Sequence, residues 1–431
     1  MLPAEQELQN PESTSTFLNY LPMRSKRTKL YYAVAIGLVI WAVGYVLLLS
    51  NVIATAIFWL SYYAVDYSAG FVRRGLAGAI VSAFPEQYYF PVSYALMWGA
   101  FAFYSLGLAV VMWRIMRRGQ RAERRLMTSL LIPVLPFALT FAVFGPRPEL
   151  YAAGCLLIFA TVLTHVTTTR ATLLCASAFG ISIAVLALFH EAIPLEFALG
   201  AVLATAVLAV GLTPAMRVLC ASLAVLPGLV STTAVVAFGR RDVASALCER
   251  IPHGMVRDPW NVPSGRGLDY LLGRYESVSD YHDWVCARVI PFFGADFSAG
   301  VHTVAKLGLP VLLASFLHGL IVCVGTLWLI AFFTRVRGRD FVRQIRGGLW
   351  APIVAASFMI PVFARGTDWI RWWTIILINI AGVYLLFASG RHEIETPVTR
   401  RDIKWFIAVI VLLACIPLSA VNTYYTGWVT L

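Results

Sequence analysis

Residues 307–332, LGLPVLLASFLHGLIVCVGTLWLIAF, contain no Asp, Glu, Lys or Arg. An α-helix rises about 1.5 Å per residue, so such a run spans the roughly 30 Å hydrocarbon core of a bilayer. Working outward, comparable apolar stretches lie at about 31–50, 93–113, 126–144, 150–168, 171–189, 195–213, 218–238, 348–364, 373–390 and 404–421. The pattern predicts an all-α, polytopic transmembrane bundle of eleven helices. Residues 51–65 are an alternative extension of the first helix.

Composition agrees. Of 431 residues, 59% are hydrophobic and only 13% charged, with a mean hydropathy of +0.76. The charged share is about half that of soluble domains. The net charge of +12 does not point to nucleic acid, because the basic residues punctuate the apolar segments. Topology and anionic lipid explain them better.

Charge also orients the chain. A cytoplasmic N-terminus places 21 of the 34 Lys and Arg in or beside the inner connections, and 13 outside. Acidic residues run the other way, eight inside and 14 outside. This follows the positive-inside rule. The implied location is a bacterial cytoplasmic (inner) membrane. Residues 1–30 form a polar, basic cytoplasmic tail without a cleaved signal peptide. The C-terminus, with Tyr424, Tyr425 and Trp428, lies outside. The bundle divides into 31–238 and 307–431, separated by an outer loop, 239–306, expected to cap it. The first outer loop, 51–92, carries Ile53, Ile57, Phe58 and Leu60, then Phe71, Leu76, Ile80 and Phe84 at roughly helical spacing. These predict two amphipathic helices in the interface, with a buried re-entrant hairpin as the alternative.

Seven cysteines occur. Cys155, Cys175, Cys220, Cys323 and Cys415 lie in apolar segments and read as packed thiols. Cys248 and Cys286 share the outer loop, where an oxidising compartment permits a disulfide; two separate thiols are the open alternative. No CxxC or His-rich pattern points to zinc, and no metal site is expected.

Chemistry concentrates in four outward connections: Asp66 to Arg74, Arg147-Pro-Glu149, His190-Glu191, and Arg365 to Trp373. Charge at a membrane boundary is costly unless paired, wet or useful. Asp66 is placed to act as a general base, or to pair with Arg73 or Arg74. Those two arginines point about 100° apart on a helix, and guanidinium suits phosphate oxygens. Anionic headgroup anchoring is the plainer reading. Arg147 and Glu149 lie in a tight turn stiffened by Pro146 and Pro148, and taken by themselves they read as a salt-linked turn. His190 is a candidate proton shuttle beside Glu191. Glu196, a turn deeper, is expected to pair within the bundle. Arg365, Asp368 and Arg371 recur at i, i+3, i+6, so Asp368 can bridge both arginines. Trp372, with Trp369 and Trp373, reads as an interfacial belt or a sugar platform.

The architecture over roughly 31–390 resembles bacterial GT-C-type glycosyltransferases, with Asp66 after the first helix where that class holds a catalytic carboxylate. Asp66 stands without an Asp-Glu or Asp-x-Asp pair. The chain is also similar to O-antigen polymerases and ligases, whose outer loops carry functional arginines; Arg73, Arg74, Arg147, Arg257, Arg365 and Arg371 suit that pattern. The resemblance implies transfer of sugar from a polyprenyl-phosphate or polyprenyl-diphosphate donor on the extracytoplasmic face, as in cell-envelope polysaccharide biosynthesis. Asp66 is then the base, with Glu149, Glu191 and His190 in support. Arg73, Arg74, Arg147, Arg365, Asp368, Arg371 and Trp372 would bind substrate. No cofactor is required beyond the donor itself. Partners would be membrane lipid, lipid-linked saccharide and other envelope-biosynthesis proteins. The alternatives are a transporter or lipid-linked saccharide flippase, and a non-catalytic scaffold.

Overall fold

The computed structural model describes residues 26–50, 56–120 and 122–416. The expectations for Ile53, for the tail before residue 26 and for the C-terminal aromatics fall outside these residues. Lys26–Leu49 forms α1 and Ile57–Leu60 α2, followed by a 3₁₀ turn, Ser61–Tyr63. Next come α3 (Gly75–Ser82), α4 (Tyr89–Arg117), α5 (Glu123–Leu131), α6 (Leu139–Phe144), α7 (Glu149–Leu163), α8 (Thr169–Ala187), α9 (Ile193–Leu208) and α10 (Pro214–Phe238). The segment 239–306 holds α11 (Ala244–Cys248), α12 (Gly267–Leu271), α13 (Tyr281–Arg288), α14 (Pro291–Gly294) and α15 (Phe297–Lys306). Its two short strands, β1 (Met255–Arg257) and β2 (Val278–Asp280), pair antiparallel with Val256 opposite Ser279. The chain then forms α16 (Leu309–Thr334), α17 (Gly338–Arg343), α18 (Trp350–Ser357), α19 (Met359–Arg365), α20 (Trp369–Ser389) and α21 (Arg400–Cys415).

Among the described residues, helices occupy each of the eleven apolar stretches, and the molecule is an all-α membrane bundle. Among the described residues, seven helical stretches are long and apolar enough to cross a membrane: Lys26–Leu49, Glu86–Arg117, Glu123–Phe144, Thr169–Ala187, Pro214–Phe238, Leu309–Thr334 and Trp369–Ser389. Glu149–Leu163, Ile193–Leu208 and Trp350–Arg365 are apolar but shorter. At about 1.5 Å per residue, a helix of α9's length covers only about 24 Å. Every residue of α9 except the half-buried Leu195 is buried, so protein rather than lipid surrounds it.

The outer helices show the opposite pattern. Ile40 on α1, Leu174 on α8, Val230 on α10 and Ile321 on α16 are each more than 60% exposed. In water such a girdle would be unstable; against acyl chains it costs nothing. Small residues let backbones approach where helices cross. A Cβ at Gly180 would lie 2.0 Å from the Leu223 carbonyl oxygen, and Gly107 of α4 faces Gly154 of α7.

The first outer loop departs from the interfacial reading in one half. Ile57, Leu60 and Tyr63 are fully buried, in a core shared with Val243, Leu247, Ile251, Tyr281, Val285 and Phe293 of the 239–306 segment. Tyr281 donates its hydroxyl to the Leu60 carbonyl at 3.1 Å. The cap therefore covers the first apolar stripe, and its own apolar side chains supply the burial that lipid was expected to provide. Phe71 and Phe84 of the second stripe remain exposed. Cys248 and Cys286 are joined as a disulfide.

At the opposite end of the bundle, arginines act as locks. Buried Arg124 donates to the carbonyls of Phe333, Thr396 and Pro397 and pairs with Asp402, which also takes Arg335 at 2.7 Å. These donors are spent on holding α5, α16 and α21 together.

Gly78 is where α3 meets the chain before it: a Cβ there would lie 2.1 Å from the Val65 carbonyl oxygen. Gly78→Ala should cost about 1–3 kcal/mol and lower the thermal midpoint of the detergent-solubilised protein. Gly37→Ala meets nothing within 4 Å and should melt as wild type. Equal midpoints for both variants would contradict the packing described.

Candidate functional site

Three parallel helices, α7, α9 and α20, pack against one another and begin at the cap end. Helix N-termini expose unpaired N–H groups and partial positive charge. The residues that start these helices are the charged ones. Pro148 precedes Glu149 and sets the φ that launches α7. Asp368 stands at the N-cap of α20, with Arg371 one turn on. His190 and Glu191 occupy the turn before α9.

Asp368 bridges two arginines. Its Oδ2 lies 2.8 Å from Arg371 Nη1 and 3.6 Å from Arg147 Nη1. Arg371 Nη1 also stands 3.7 Å from Glu149 Oε1 and donates to the Tyr62 hydroxyl at 3.4 Å. The Arg147 guanidinium lies 4.4 Å from the Trp59 ring centroid, a cation–π contact that holds it without consuming N–H groups. Glu191 takes a two-pronged contact from Arg74, at 2.9 and 3.3 Å, and a second charge from Arg73 at 3.6 Å. Tyr62 joins the halves, its ring facing both Arg74 and His190.

Arg74 makes its contact from a left-handed backbone, φ +60°, which costs a non-glycine residue about 1–2 kcal/mol. The bidentate ion pair offsets that strain. Gly75 then begins α3, where a Cβ would meet the Tyr67 ring at 2.3 Å.

Protonation follows the charge layout. Burial, with Arg74 adding to it, pushes His190 down to about 4. The Ala192 N–H donates to His190 Nδ1, so the neutral ring carries its proton on Nε2. Burial would raise Glu191, but Arg74 foremost overcomes it and holds the carboxyl well below its usual range. Burial lowers Arg73 to about 10, where it stays cationic at neutral pH.

The cluster is not self-satisfied. Both carboxylate oxygens of Glu149 and of Glu196, Nε and Nη1 of Arg147, and Nε of Arg73 and Arg371 are buried without a hydrogen-bond partner. Glu149 is 3% exposed, Arg147 7% and Glu196 0%. Each such group costs about 1–3 kcal/mol or more unless something meets it. Unspent acceptors and donors at one location suit a ligand that carries both a hydroxyl and an anion.

The structure thus brings together Arg73, Arg74, Arg147, Glu149, His190, Glu191, Asp368, Arg371 and Trp372. Trp372 is buried beside Arg371, its Nε1 without a partner. Trp369 and Trp373 pack on Phe316 and Phe363 instead. Asp66 stands apart. It accepts from the Ser68 hydroxyl and N–H and from the Ser82 hydroxyl, and these bonds outweigh burial and hold it below its ordinary value. Arg365 donates to the Ala295 carbonyl and ties the cap to α19. Glu196, Trp59 and Tyr62 were not among the sequence candidates for this site. Glu196 had a signal: it is the one charge in the apolar run of α9, and an acid within an apolar helix is a functional pointer.

A buried neutral His190 makes stability pH-dependent. Its folded pKa is depressed from 6.5 to about 4, so its contribution is present above pH 6.5 and is lost as pH falls toward 4. That loss amounts to about 3 kcal/mol at 1.36 kcal/mol per unit. His190→Gln should flatten the fall in melting temperature between pH 7 and pH 4.5. An unchanged slope would contradict a buried neutral imidazole.

A family model described as uncharacterised membrane protein Rv1490 matches residues 31–414. The chain is 42% identical over 412 residues to "Uncharacterized protein Rv1490" of Mycobacterium tuberculosis, covering 95% of each chain. It is equally similar to "Uncharacterized protein Mb1527" of Mycobacterium bovis. None of these descriptions names a glycosyltransferase. No solved structure matches.

Proposed function

The chain belongs to the family of uncharacterised membrane protein Rv1490, and within that frame we propose that it is an integral-membrane glycosyltransferase. It takes its sugar from a polyprenyl-phosphate or polyprenyl-diphosphate donor at the extracytoplasmic face of the inner membrane. The observation that carries this reading is the presence, in one buried cluster, of Glu149 oxygens and Arg147 N–H groups that have no hydrogen-bond partner.

The chemistry assigns roles. The acceptor hydroxyl attacks the anomeric carbon, forming a new C–O bond. The bond from that carbon to the phosphate oxygen breaks, and its electrons leave with the lipid phosphate. Glu149 takes the acceptor proton. Arg147, with Arg73, meets the negative charge that grows on the leaving group, a stabilisation that fixed cations provide without reorganisation. The N-termini of α7, α9 and α20 add positive potential at the same place. Asp368 and Glu191 hold the arginines in position. His190, neutral with its proton on Nε2, donates to a bound oxygen. Asp66 is a loop-fixing residue in this scheme. The disulfide-joined cap accords with an outward, oxidising location.

Glu196 favours one alternative, transport. A buried acid with both oxygens unmet, beneath arginines, is also what a coupled carrier or flippase would use.

The test is turnover by purified protein in nanodiscs supplied with polyprenyl-monophosphate and polyprenyl-diphosphate sugars, read as released lipid phosphate. Glu149→Gln and Arg147→Lys should each lower turnover at least about 100-fold, as loss of a general base or charge stabiliser does. Asp66→Asn should stay within about threefold. Full activity in Glu149→Gln would overturn the assignment. Movement of donor across the bilayer without its consumption would favour transport.

A further inference from the structure

A second cluster lies in the cap, apart from the charged site. Cys248 ends α11, while His282 and Cys286 stand four residues apart on α13, on one helical face. The cap fold brings Cys248 to that face. Its Sγ lies 3.9 Å from His282 Nε2, and the ligand atoms of Cys248, His282 and Cys286 all fall within 4.8 Å of one another.

The histidine is oriented for ligation. His282 Nδ1 lies 2.8 Å from the Ile251 carbonyl oxygen. A carbonyl only accepts, so Nδ1 carries the proton and Nε2 presents its lone pair toward the sulfur. A backbone carbonyl on the far ring nitrogen is the support that metal-bound histidines use. The support is rigid. Asp280 caps α13 through the Asp283 N–H, accepts from the Gly254 N–H, and contacts His253 Nδ1 at 3.1 Å. The His253 ring stacks on His282 at 4.2 Å. All three donor residues are half-buried, so solutes reach them without unfolding the cap.

We propose that Cys248, Cys286 and His282 form a redox-gated site for one thiophilic divalent cation, Zn²⁺ being the best chemical match. In the oxidised protein the disulfide occupies both sulfurs. A thiol reductant, R–SH, opens it: the disulfide gains two electrons and two protons, and two R–SH become R–S–S–R. Zn²⁺ then displaces both thiol protons to water and binds two thiolates and His282 Nε2. Two sulfurs and one imidazole leave the fourth tetrahedral position open. The chain carries no CxxC motif, and the set is assembled by tertiary structure alone.

The experiment uses the full-length protein in detergent. One sample is left oxidised; the other is reduced with a phosphine and desalted under argon. Both are titrated with Co²⁺ as a spectroscopic probe, then with Zn²⁺ against a chromophoric chelator. Reduced wild type should bind one equivalent, with thiolate-to-cobalt charge transfer that Zn²⁺ abolishes, and oxidised wild type none. His282→Ala should bind at least about tenfold more weakly. The Cys248→Ser, Cys286→Ser double variant controls for the remaining cysteines and for loss of the disulfide. Equal cobalt binding by that double variant and reduced wild type would overturn the proposal, as would equal binding by oxidised and reduced wild type.

Discussion

A guanidinium taken out of water costs several kcal/mol unless its charge is met, and four of them meet at one end of this bundle. The chain solves the problem with carboxylates borne on other elements. Asp368 stands between Arg147 and Arg371, and Glu191 between Arg73 and Arg74. Removing one partner from a buried pair commonly costs about 3–5 kcal/mol. The starts of α3, α7, α9 and α20 are therefore held to one another by charge as well as by packing. The short length of α7 and α9 follows the same constraint: a helix that begins at a buried polar cluster has no reason to reach the lipid surface.

The two ends of the molecule use arginine differently. Around Arg124 the donors are spent on the carbonyls of Phe333, Thr396 and Pro397 and on Asp402. Such a fully bonded group is a clamp. Around Arg147 the guanidinium rests on the Trp59 ring and reaches Asp368 only at ion-pair distance, leaving Nε and Nη1 without hydrogen bonds, next to a Glu149 whose oxygens also lack them. The cap shields this end through Phe293, which lies against Arg73, and through Arg365, which holds Ala295.

Much of this was legible from the sequence because apolar length and charge position are local properties. Each apolar run became helix, and most charges in the outer turns gathered. What was not legible depended on packing. Ile57 and Leu60 make the same stripe whether lipid or the cap covers them. Asp66 looks like a catalytic carboxylate by its place after the first helix, yet Ser82, sixteen residues on, accounts for one of its oxygens. Cys248 joins His282 and Cys286 only through the cap fold. Glu196 was visible as a lone acid in an apolar run, but its nearness to the arginines required the helices to be placed side by side.

The most direct measurement is an electron cryo-microscopy map of the protein in lipid nanodiscs with a polyprenyl monophosphate added. The account predicts phosphate density in contact with Arg147 and Arg73, with Glu149 on the side away from the lipid tail. Phosphate bound elsewhere, with Arg147 closed onto Glu149 in a direct two-pronged pair, would contradict it.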